Sequence, residues 1–552
     1  MRSLAALLIL AAAATPALAT PTALPRTAYV LGRYAWLDHD VERAARLLES
    51  ARLADPASAS ITRQAWELAV AAGDGPRAFK LAQAMGAAGN RDAEVVITRL
   101  ADAVLKKDWA AVQQLRPALG VQAWPQVAGP VIDAWAQFAR GDTDGALAAM
   151  EPARTQGFMR PYFAEQRAHM LAALGRWDAA ASAYARVRAG NGTAAAVLRQ
   201  GQADALAMAG RKDEALALLF PSDRPTAVAR QRLEAGKRLG PLAPDARSGI
   251  AWMFLRLSDD LARERAEPLA LFFARLASFM APEQPLPWLS VADHLARAGQ
   301  SQAALTALAR VPAGLGLDEL ARSRRAEALE AMGAGKAAGD LLQAAAAAPG
   351  ASVEDLVGLA AWHQRAGRHA EAAAAYGTAI DRFGPGMGAT AWNLHYLRAI
   401  MRDRAGDWPG AEADLKAAFA LFPDEAGVMN YLGYTLMERG ERLAEAQALI
   451  EKAAKLRPGD GGIIDSLGWL QLKLGQVDEA VATLERALAL EPEDPTLISH
   501  LGDALWSQGR RIEARFRWRQ ALAIVAEGDE KRRLQARLDY GLDAAPAMLA
   551  QR

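Results

Sequence analysis

Few side chains in this sequence are spaced in a way that would permit catalysis or metal binding. Of the seven histidines, His363 and His369 are nearest to each other, but they are six residues apart and do not share one helix face. The run Gly333–Lys336 has the glycines and lysine of a phosphate-binding loop, but the rest of that motif is absent. The sequence therefore predicts no catalytic residue, no cofactor and no metal site.

The composition favours recognition of other proteins over chemistry. The chain has 64 basic and 63 acidic residues, evenly spread, so no global field would attract nucleic acid or an anionic membrane. It has no cysteine, which excludes thiolate nucleophiles, cysteine-bound metals and disulfides. We therefore expect a protein that is not an enzyme, does not bind nucleic acid and is not a lipoprotein.

The elements that would position binding residues are visible as a repeat. Pro423, Pro458 and Pro492 are 35 and 34 residues apart, and other positions recur between them at the same steps. These positions are the Leu-Gly pairs Leu432-Gly433, Leu467-Gly468 and Leu501-Gly502, followed by Gly440, Gly475 and Gly509. Small residues at helical spacing let two helices approach closely, a glycine permits a tight turn between them, and a proline ends the second helix. A hairpin of this kind cannot bury its own apolar face, so its neighbours must stack on it.

This pattern resembles the tetratricopeptide repeat (TPR) family, most closely in the C-terminal third of the chain. Further glycines could form the turn between paired helices: Gly141, Gly175, Gly210, Gly299, Gly333, Gly367 and Gly406. The pattern is weak at about 91–126 and 222–250, where we expect irregular hairpins. The resemblance implies an all-α, right-handed α-solenoid of about thirteen or fourteen stacked hairpins.

We expect five segments along the chain. Residues 1–19 have the features of a cleaved secretory signal peptide, with Arg2 before the apolar run Leu4–Ala14. The others are an N-terminal TPR-like solenoid at 25–221, divergent middle repeats at 222–384, well-formed repeats at 389–526 and a capping helix or tail at 527–552. The run Gly384–Gly388 is either a hinge or a long inter-repeat loop. No transmembrane segment is expected, and the mature chain should be periplasmic.

In the TPR family the first helix of each hairpin lines a groove. The resemblance implies that this protein-binding groove is lined here by Asn393, Tyr396, Asn430, Tyr431, Tyr434, Asp465, Ser466, Trp469, His500, Asp503 and Trp506. Aromatic side chains give large rigid contact areas, and short polar ones can hydrogen-bond an extended backbone. The alternative is that Trp469 and Trp506 only pack between hairpins. Some family members clamp a carboxylate with basic residues, but Asp465 and Asp503 stand at those positions, so a neutral or basic segment is the expected ligand.

The C-terminal end is basic. From Arg510 to Arg537, basic residues outnumber acidic ones by nine to four. The first of them form a possible docking patch: Arg510, Arg511, Arg515, Arg517 and Arg519. Such a patch would suit an acidic partner or anionic lipid head groups. It could equally be the polar outer face that a terminal repeat needs for solubility.

Residues 392–526 resemble, more narrowly, the exported TPR proteins of Gram-negative bacteria. Some of these are adaptors that hold a carboxyl-terminal processing protease and its cell-wall hydrolase substrates, but they carry a lipid anchor that this cysteine-free chain cannot carry. We therefore predict a non-enzymatic periplasmic scaffold that binds one or more proteins. The alternatives are an assembly factor for envelope complexes (pilus, secretion or cell-wall machinery) and an enzyme whose site lies in the irregular region 222–250.

Overall fold

A computed structural model describes residues 25–38, 40–121, 123–152, 157–187, 193–219, 224–313, 316–383, 391–526 and 528–543. The predicted signal peptide and the run Gly384–Gly388 lie outside these residues. Every regular element in the described ranges is helical, which confirms the all-α class. Among the described helices, none has the length and apolar character needed to cross a membrane.

The chain divides into two compact units, residues 1–341 (unit 1) and 342–552 (unit 2). Unit 1 contains α1 (Pro25–Leu37), α2 (Val41–Ala54), α3 (Ala59–Ala72), α4 (Gly75–Ala87), α5 (Ala93–Leu105), α6 (Trp109–Leu115), α7 (Pro125–Ala139), α8 (Thr143–Ala149), α9 (Arg160–Ala173), α10 (Trp177–Arg186), α11 (Thr193–Met208), α12 (Lys212–Ala217), α13 (Arg224–Glu234), α14 (Ala246–Arg263), α15 (Glu267–Met280), α16 (Pro285–Arg297), α17 (Ser301–Leu308) and α18 (Asp318–Ala331). Helix α19 (Gly335–Ala346) contains the division.

Unit 2 contains α20 (Val353–Arg365), α21 (His369–Phe383), α22 (Trp392–Arg404), α23 (Trp408–Leu421), α24 (Ala426–Glu438), α25 (Leu443–Leu456), α26 (Gly461–Lys473), α27 (Val477–Leu490), α28 (Pro495–Ser507), α29 (Arg511–Ile524) and α30 (Asp529–Tyr540). In the described residues, consecutive helices pack directly on each other as hairpins, from α1 with α2 in unit 1 to α28 with α29 in unit 2. This agrees with the stacked TPR-like hairpins expected from the repeat.

Glycines make the turns inside the hairpins, and at Gly406 an aspartate follows and caps the second helix. The glycines predicted to form these turns have φ between +67° and +93°: Gly141, Gly175, Gly210, Gly299, Gly333, Gly367, Gly406, Gly440, Gly475 and Gly509. After Gly406, the side chain of Asp407 accepts a hydrogen bond from the backbone N–H of Gly410 at 3.0 Å and so caps the first turn of α23. The glycine thus ends one helix, and the residue after it begins the next.

Two stretches are irregular, as the weak repeat pattern predicted. Helix α6 ends in a short 3-10 turn at Arg116–Leu119, and residues 235–245 after α13 form no helix. Asp204 of α11 holds this second stretch in place. Its buried carboxylate accepts hydrogen bonds from the backbone N–H groups of Leu239 at 3.0 Å and Gly240 at 2.9 Å.

Unit 1 departs from simple nearest-neighbour stacking. Helix α14 contacts α5, α7 and α9, and α15 contacts α3 and α5. Aromatic side chains of α15 add contacts to residues far away in the sequence: Phe272 with Trp66 of α3, Phe273 with Trp124 just before α7, and Phe279 with Phe79 of α4, at centroid distances of 5.9, 4.9 and 5.8 Å. Eleven of the 18 residues of α14 and nine of the 14 residues of α15 are buried, because helices from several other hairpins pack on this one.

Candidate protein-binding groove

The residues predicted to form the groove lie on the first helices of four successive hairpins of unit 2: α22, α24, α26 and α28. The opposite faces of these helices are anchored in the core, where Gly433 and Gly468 let the paired helix come close. A Cβ atom on Gly468 would lie 2.6 Å from Cγ of Leu484 in α27. This tight packing fixes which face of each first helix is turned away from its partner helix. We use "the groove" for those faces.

Aromatic side chains join α22 to α24. Tyr396 and Tyr431 meet edge to face at a centroid distance of 5.9 Å. The Tyr431 hydroxyl donates to Oδ2 of Asp403 at 2.8 Å. Asn393, one turn earlier on α22, is exposed. The predicted residues of these two helices therefore include two tyrosines in mutual contact and one exposed amide.

A second aromatic group joins α24, α26 and α28. The ring of Trp469 stacks on the ring of His500 at a centroid distance of 4.2 Å and an interplanar angle of 16°. The Trp469 Nε1–H group donates to Oε1 of Glu438 at 2.7 Å. Lys473 Nζ lies 5.1 Å from the centre of the Trp469 ring and 3.7 Å from Glu438 Oε1. Trp469 is thus held by contacts on both neighbouring helices while remaining partly exposed.

Asp465 lies beneath this aromatic group. Its side chain is buried, and Oδ2 lies 2.8 Å from Nδ1 of His500. The other oxygen, Oδ1, is buried and has no hydrogen-bond partner among the described residues. The same is true of Oδ1 of Asn430, at the equivalent position of the preceding hairpin. Since buried polar atoms in proteins are nearly always hydrogen-bonded, these two acceptors mark a place where a donor is missing.

The electrostatic surroundings of the groove are negative. Burial raises the pKa of the Tyr434 hydroxyl, and the carboxylates of Glu438, Asp465 and Glu530 raise it further. Burial alone would lower the pKa of His500, but its hydrogen bond to Asp465 and the nearby carboxylates outweigh burial and raise it. The raised pKa of His500 indicates that the carboxylates around it stabilise a positive charge in this part of the groove.

Two of the predicted groove residues, Ser466 and Asp503, are occupied by contacts within the chain. Ser466 is buried and donates to the carbonyl of Gly462 at 3.1 Å. Asp503, only 1% exposed, accepts a hydrogen bond from Trp518 Nε1 at 2.9 Å and lies 3.1 Å from the guanidinium of Arg537. These residues are therefore less accessible to a partner than Tyr434 and Trp469.

Trp506 is also enclosed by its own chain. Its ring packs against Trp518 at 5.2 Å, and its Nε1–H group donates to Asp543 at 3.2 Å. The guanidinium of Arg511 covers the ring at 3.9 Å. The packing alternative considered for Trp469 and Trp506 thus describes Trp506, whereas Trp469 both packs and remains partly exposed.

The predicted basic docking patch on α29 is only partly free. Arg510 forms a bidentate pair with Glu513, and Arg511 and Arg515 lie over the ring of Trp506. Arg517 donates to Gln520 at 3.1 Å, and Arg519 is exposed. Most of these guanidinium groups therefore have partners within the chain.

A hydrogen-bonded Ser-His-Glu arrangement in unit 1 was not anticipated from the sequence. Ser258 Oγ lies 2.8 Å from His294 Nε2, and His294 Nδ1 lies 3.0 Å from Oε2 of Glu267. Ser258 is fully buried, and its hydroxyl also donates to the carbonyl of Ala270 at 2.8 Å. A hydroxyl has one proton, so the bond to Ala270 directs it away from the imidazole in this arrangement. The arrangement joins α14, α15 and α16, and 36 residues of sequence separate its serine from its histidine.

The irregular region 222–250, the alternative location for an enzyme site, borders a pocket of about 300 Å³. Its charged lining residues are Arg232 and Glu283, and Glu283 is paired with Arg247 at 2.5 Å. Across the described ranges, no three potential metal-binding side chains cluster together.

Family profiles match two parts of unit 2. Residues 396–461 match the family described as "Tetratricopeptide repeat", and residues 470–509 match one described as "TPR repeat". These ranges contain every predicted groove residue except Asn393, Asp465, Ser466 and Trp469. No curated protein sequence is significantly similar to the chain.

Several solved structures are similar in fold. A chain of the APC/C hetero-tetramer Cut9–Hcn1 is 14% identical, with 94% of this chain and 96% of that chain covered and a TM-score of 0.36. PilF of Pseudomonas aeruginosa is 20% identical over 36% of this chain and 89% of its own, with a TM-score of 0.29. A thermophilic TPR protein of Thermus thermophilus, TTC0263, is 24% identical over 35% of this chain and 99% of its own, with a TM-score of 0.30. At these low identities and TM-scores the likeness concerns the helical fold and carries no information about function.

Proposed function

We propose that this chain, a tetratricopeptide repeat protein, is a non-enzymatic scaffold whose unit 2 groove binds an extended segment of a partner protein. The observation that carries the proposal is the pair of buried, unpartnered acceptors, Asn430 Oδ1 and Asp465 Oδ1, beside the partly exposed rings of Tyr434 and Trp469. A buried acceptor without a donor costs about 1–3 kcal/mol, and a bound segment that supplies the donor recovers that cost.

The chemistry of the groove selects the partner. Tyr434 and Trp469 provide rigid aromatic surface for apolar or cationic side chains. Asp465 and Glu438 add negative charge next to these rings, and each already has a donor in the chain at one oxygen. An extended segment with a basic side chain fits this arrangement, and an acidic one does not.

The role in the cell is proposed on the sequence features of residues 1–19, which are typical of an exported protein. We propose that the scaffold works in the periplasm and presents substrates to an envelope protease or a cell-wall hydrolase system. The second role, an assembly factor for pili, secretion machinery or cell-wall synthesis, would use the same groove with other partners.

The test is an affinity capture by the tagged full chain after crosslinking in periplasmic extract. The wild type is compared with Tyr434→Ala/Trp469→Ala and with the milder Asp465→Asn, which removes the charge but keeps the shape. Glu479→Gln is the matched control, because Glu479 is an exposed carboxylate on α27, the second helix of its hairpin. Thermal unfolding of each variant separates loss of binding from loss of fold.

We expect one set of proteins to be retained by wild type and Glu479→Gln and lost with both groove variants. A protease or cell-wall enzyme in that set supports the adaptor role, and pilus or secretion components support the assembly role. Equal retention by wild type and both groove variants would show that the groove is not the binding site.

A further inference from the structure

A second pocket lies in unit 1, between the first helices of successive hairpins. Its volume is about 360 Å³, and its walls come mainly from α14, α16 and α18. Leu255, Leu286 and Leu289 supply an apolar surface. A pocket near 300 Å³ is at the small end of the range for ligand sites, so it suits one long side chain better than a bulky cofactor.

The three arginines that line this pocket are each paired with a carboxylate of the chain. Arg263 lies 2.8 Å from Asp260, Arg297 lies 3.1 Å from Glu267, and Arg324 lies 3.0 Å from Asp293. Their positive charges are therefore balanced locally. An anionic ligand would have to displace these pairs to use them.

Asp259 differs from the other charged groups of the pocket. It forms no hydrogen bond and no ion pair with any residue in the part of the chain that the structure describes, although it lines the pocket. Burial raises the pKa of its carboxyl to about 6, against the opposing charges of Arg256 and Arg263. Both arginines lie closer to Asp260, at 3.5 and 2.8 Å. Asp259 is thus a half-buried carboxyl group with no direct partner among the described residues.

We propose that this pocket, the Asp259 pocket, binds a lysine or arginine side chain of a partner protein. The cationic head pairs with Asp259, and the aliphatic stem lies on Leu255, Leu286 and Leu289. Long basic side chains commonly bury their stems on apolar surface in this way. The pocket gives unit 1 a binding site of its own, in addition to the groove of unit 2, so that one chain can hold two basic segments.

A fluorescent reporter can test this directly, because the chain has no native cysteine. Ala262→Cys, at the pocket wall, is labelled with an environment-sensitive dye in the full chain and titrated with hexalysine. In the labelled chain, Asp259→Asn should weaken the binding of hexalysine about tenfold. This is more than the loss of an exposed ion pair costs and less than the loss of a buried one, because Asp259 is half-buried. Glu264→Gln, an exposed carboxylate at the end of the same helix, should leave the affinity unchanged.

Two further titrations keep the outcome decisive. Hexalysine acetylated on its amino groups should not bind to the chain that retains Asp259, which tests the charge without any risk to folding. The groove variant Asp465→Asn should not alter the dye response, so a failure of the proposed groove would leave this result standing. Equal affinity with Asp259→Asn, or tighter binding of hexaglutamate than of hexalysine, would overturn the proposal.

Discussion

Replacing Gly433 with alanine tests why glycine occupies the Leu-Gly pairs of the repeat. Gly433 is in the middle of α24, where an alanine would normally favour the helix. A Cβ atom there would lie 2.9 Å from the backbone oxygen of Ala446 and 2.9 Å from Cγ1 of Ile450. Ordinary contacts begin near 3.4 Å, so α24 and α25 would have to separate by about half an ångström. A backbone carbonyl cannot rotate away as a side chain can.

The two opposing effects can be compared in size. Alanine gains about 1 kcal/mol over glycine in helix propensity, and forcing extra atoms into a packed interface costs about 1–3 kcal/mol. Because the clash includes main-chain atoms of α25, we expect the cost to prevail and the free energy of unfolding to fall by about 1 kcal/mol. For a unit of this size, that lowers the melting temperature by about 2–4 °C.

Gly358, in the middle of α20, is the matched control. The nearest atom to its added Cβ would be Cδ2 of Leu342 at 3.6 Å, an ordinary contact. Gly358→Ala should therefore gain up to about 1 kcal/mol from propensity alone. The assay is urea unfolding of the full chain followed by circular dichroism. If Gly433→Ala is as stable as Gly358→Ala, close helix approach does not explain the repeat glycine.

Two further predictions concern buried charges in unit 2. Asp414, 3% exposed, accepts hydrogen bonds from Arg398 at 2.5 Å and Arg402 at 2.7 Å, so Asp414→Ala should lower the free energy of unfolding by about 3 kcal/mol. Despite burial, the hydrogen bonds from His395 and Arg398 hold the pKa of the Asp414 carboxyl below its value of 3.8 in the unfolded chain. The stabilisation by the ionised carboxylate is therefore fully present above pH 3.8 and is lost as the pH falls through the pKa of Asp414 in the folded chain. Urea midpoints at pH 7 and pH 3 measure both effects. Despite burial, the pKa of His500 is raised above 6.5, its value in the unfolded chain, by the hydrogen bond to Asp465. The stabilisation by the charged pair of His500 and Asp465 is therefore fully present below pH 6.5 and is lost as the pH rises through the pKa of His500 in the folded chain. The stability difference between wild type and His500→Gln should therefore shrink from pH 6 to pH 8.

For each of these two variants, the opposite pH dependence would contradict the assigned charge state. A midpoint difference between wild type and Asp414→Ala that is as large at pH 3 as at pH 7 would show that the ionised carboxylate is not the stabilising group. A His500→Gln difference that grows with pH would mean that the imidazole is buried in its neutral form.

The local features of the fold could be predicted from the sequence because each depends on a few neighbouring residues. A turn such as that at Gly475 needs one residue with positive φ, and glycine is the residue that tolerates it. The buried position of α14 and α15 could not be predicted in this way. It depends on contacts such as Phe272 with Trp66, which are far apart along the chain and follow no repeat period.

The candidate site was only partly predictable for a related reason. The repeat register places Trp469 and His500 on the same side of successive helices, and their rings do stack. The register does not show which charges the chain itself will neutralise. Asp503 pairs with Arg537 of α30, and Trp506 donates a hydrogen bond to Asp543 after α30. Neither pair can be predicted from the repeat, because these partners lie outside it.

The contacts of Arg537 indicate which cation the groove prefers. Ser499, Asp465 and Asn430 each stand two residues before the Leu-Gly pair of their own hairpin, so they are equivalent positions. At Ser499 a donor comes from α30: Arg537 Nη1 donates to the Ser499 hydroxyl at 2.8 Å, while Nη2 lies 3.1 Å from Asp503. At Asp465 and Asn430 the equivalent acceptor oxygens have no donor among the described residues. A planar guanidinium can serve two acceptors at once, which an ammonium group does less well. Segments with arginine should therefore bind the groove of unit 2 more tightly than the same segments with lysine, and peptide titrations that find no difference would contradict this reasoning.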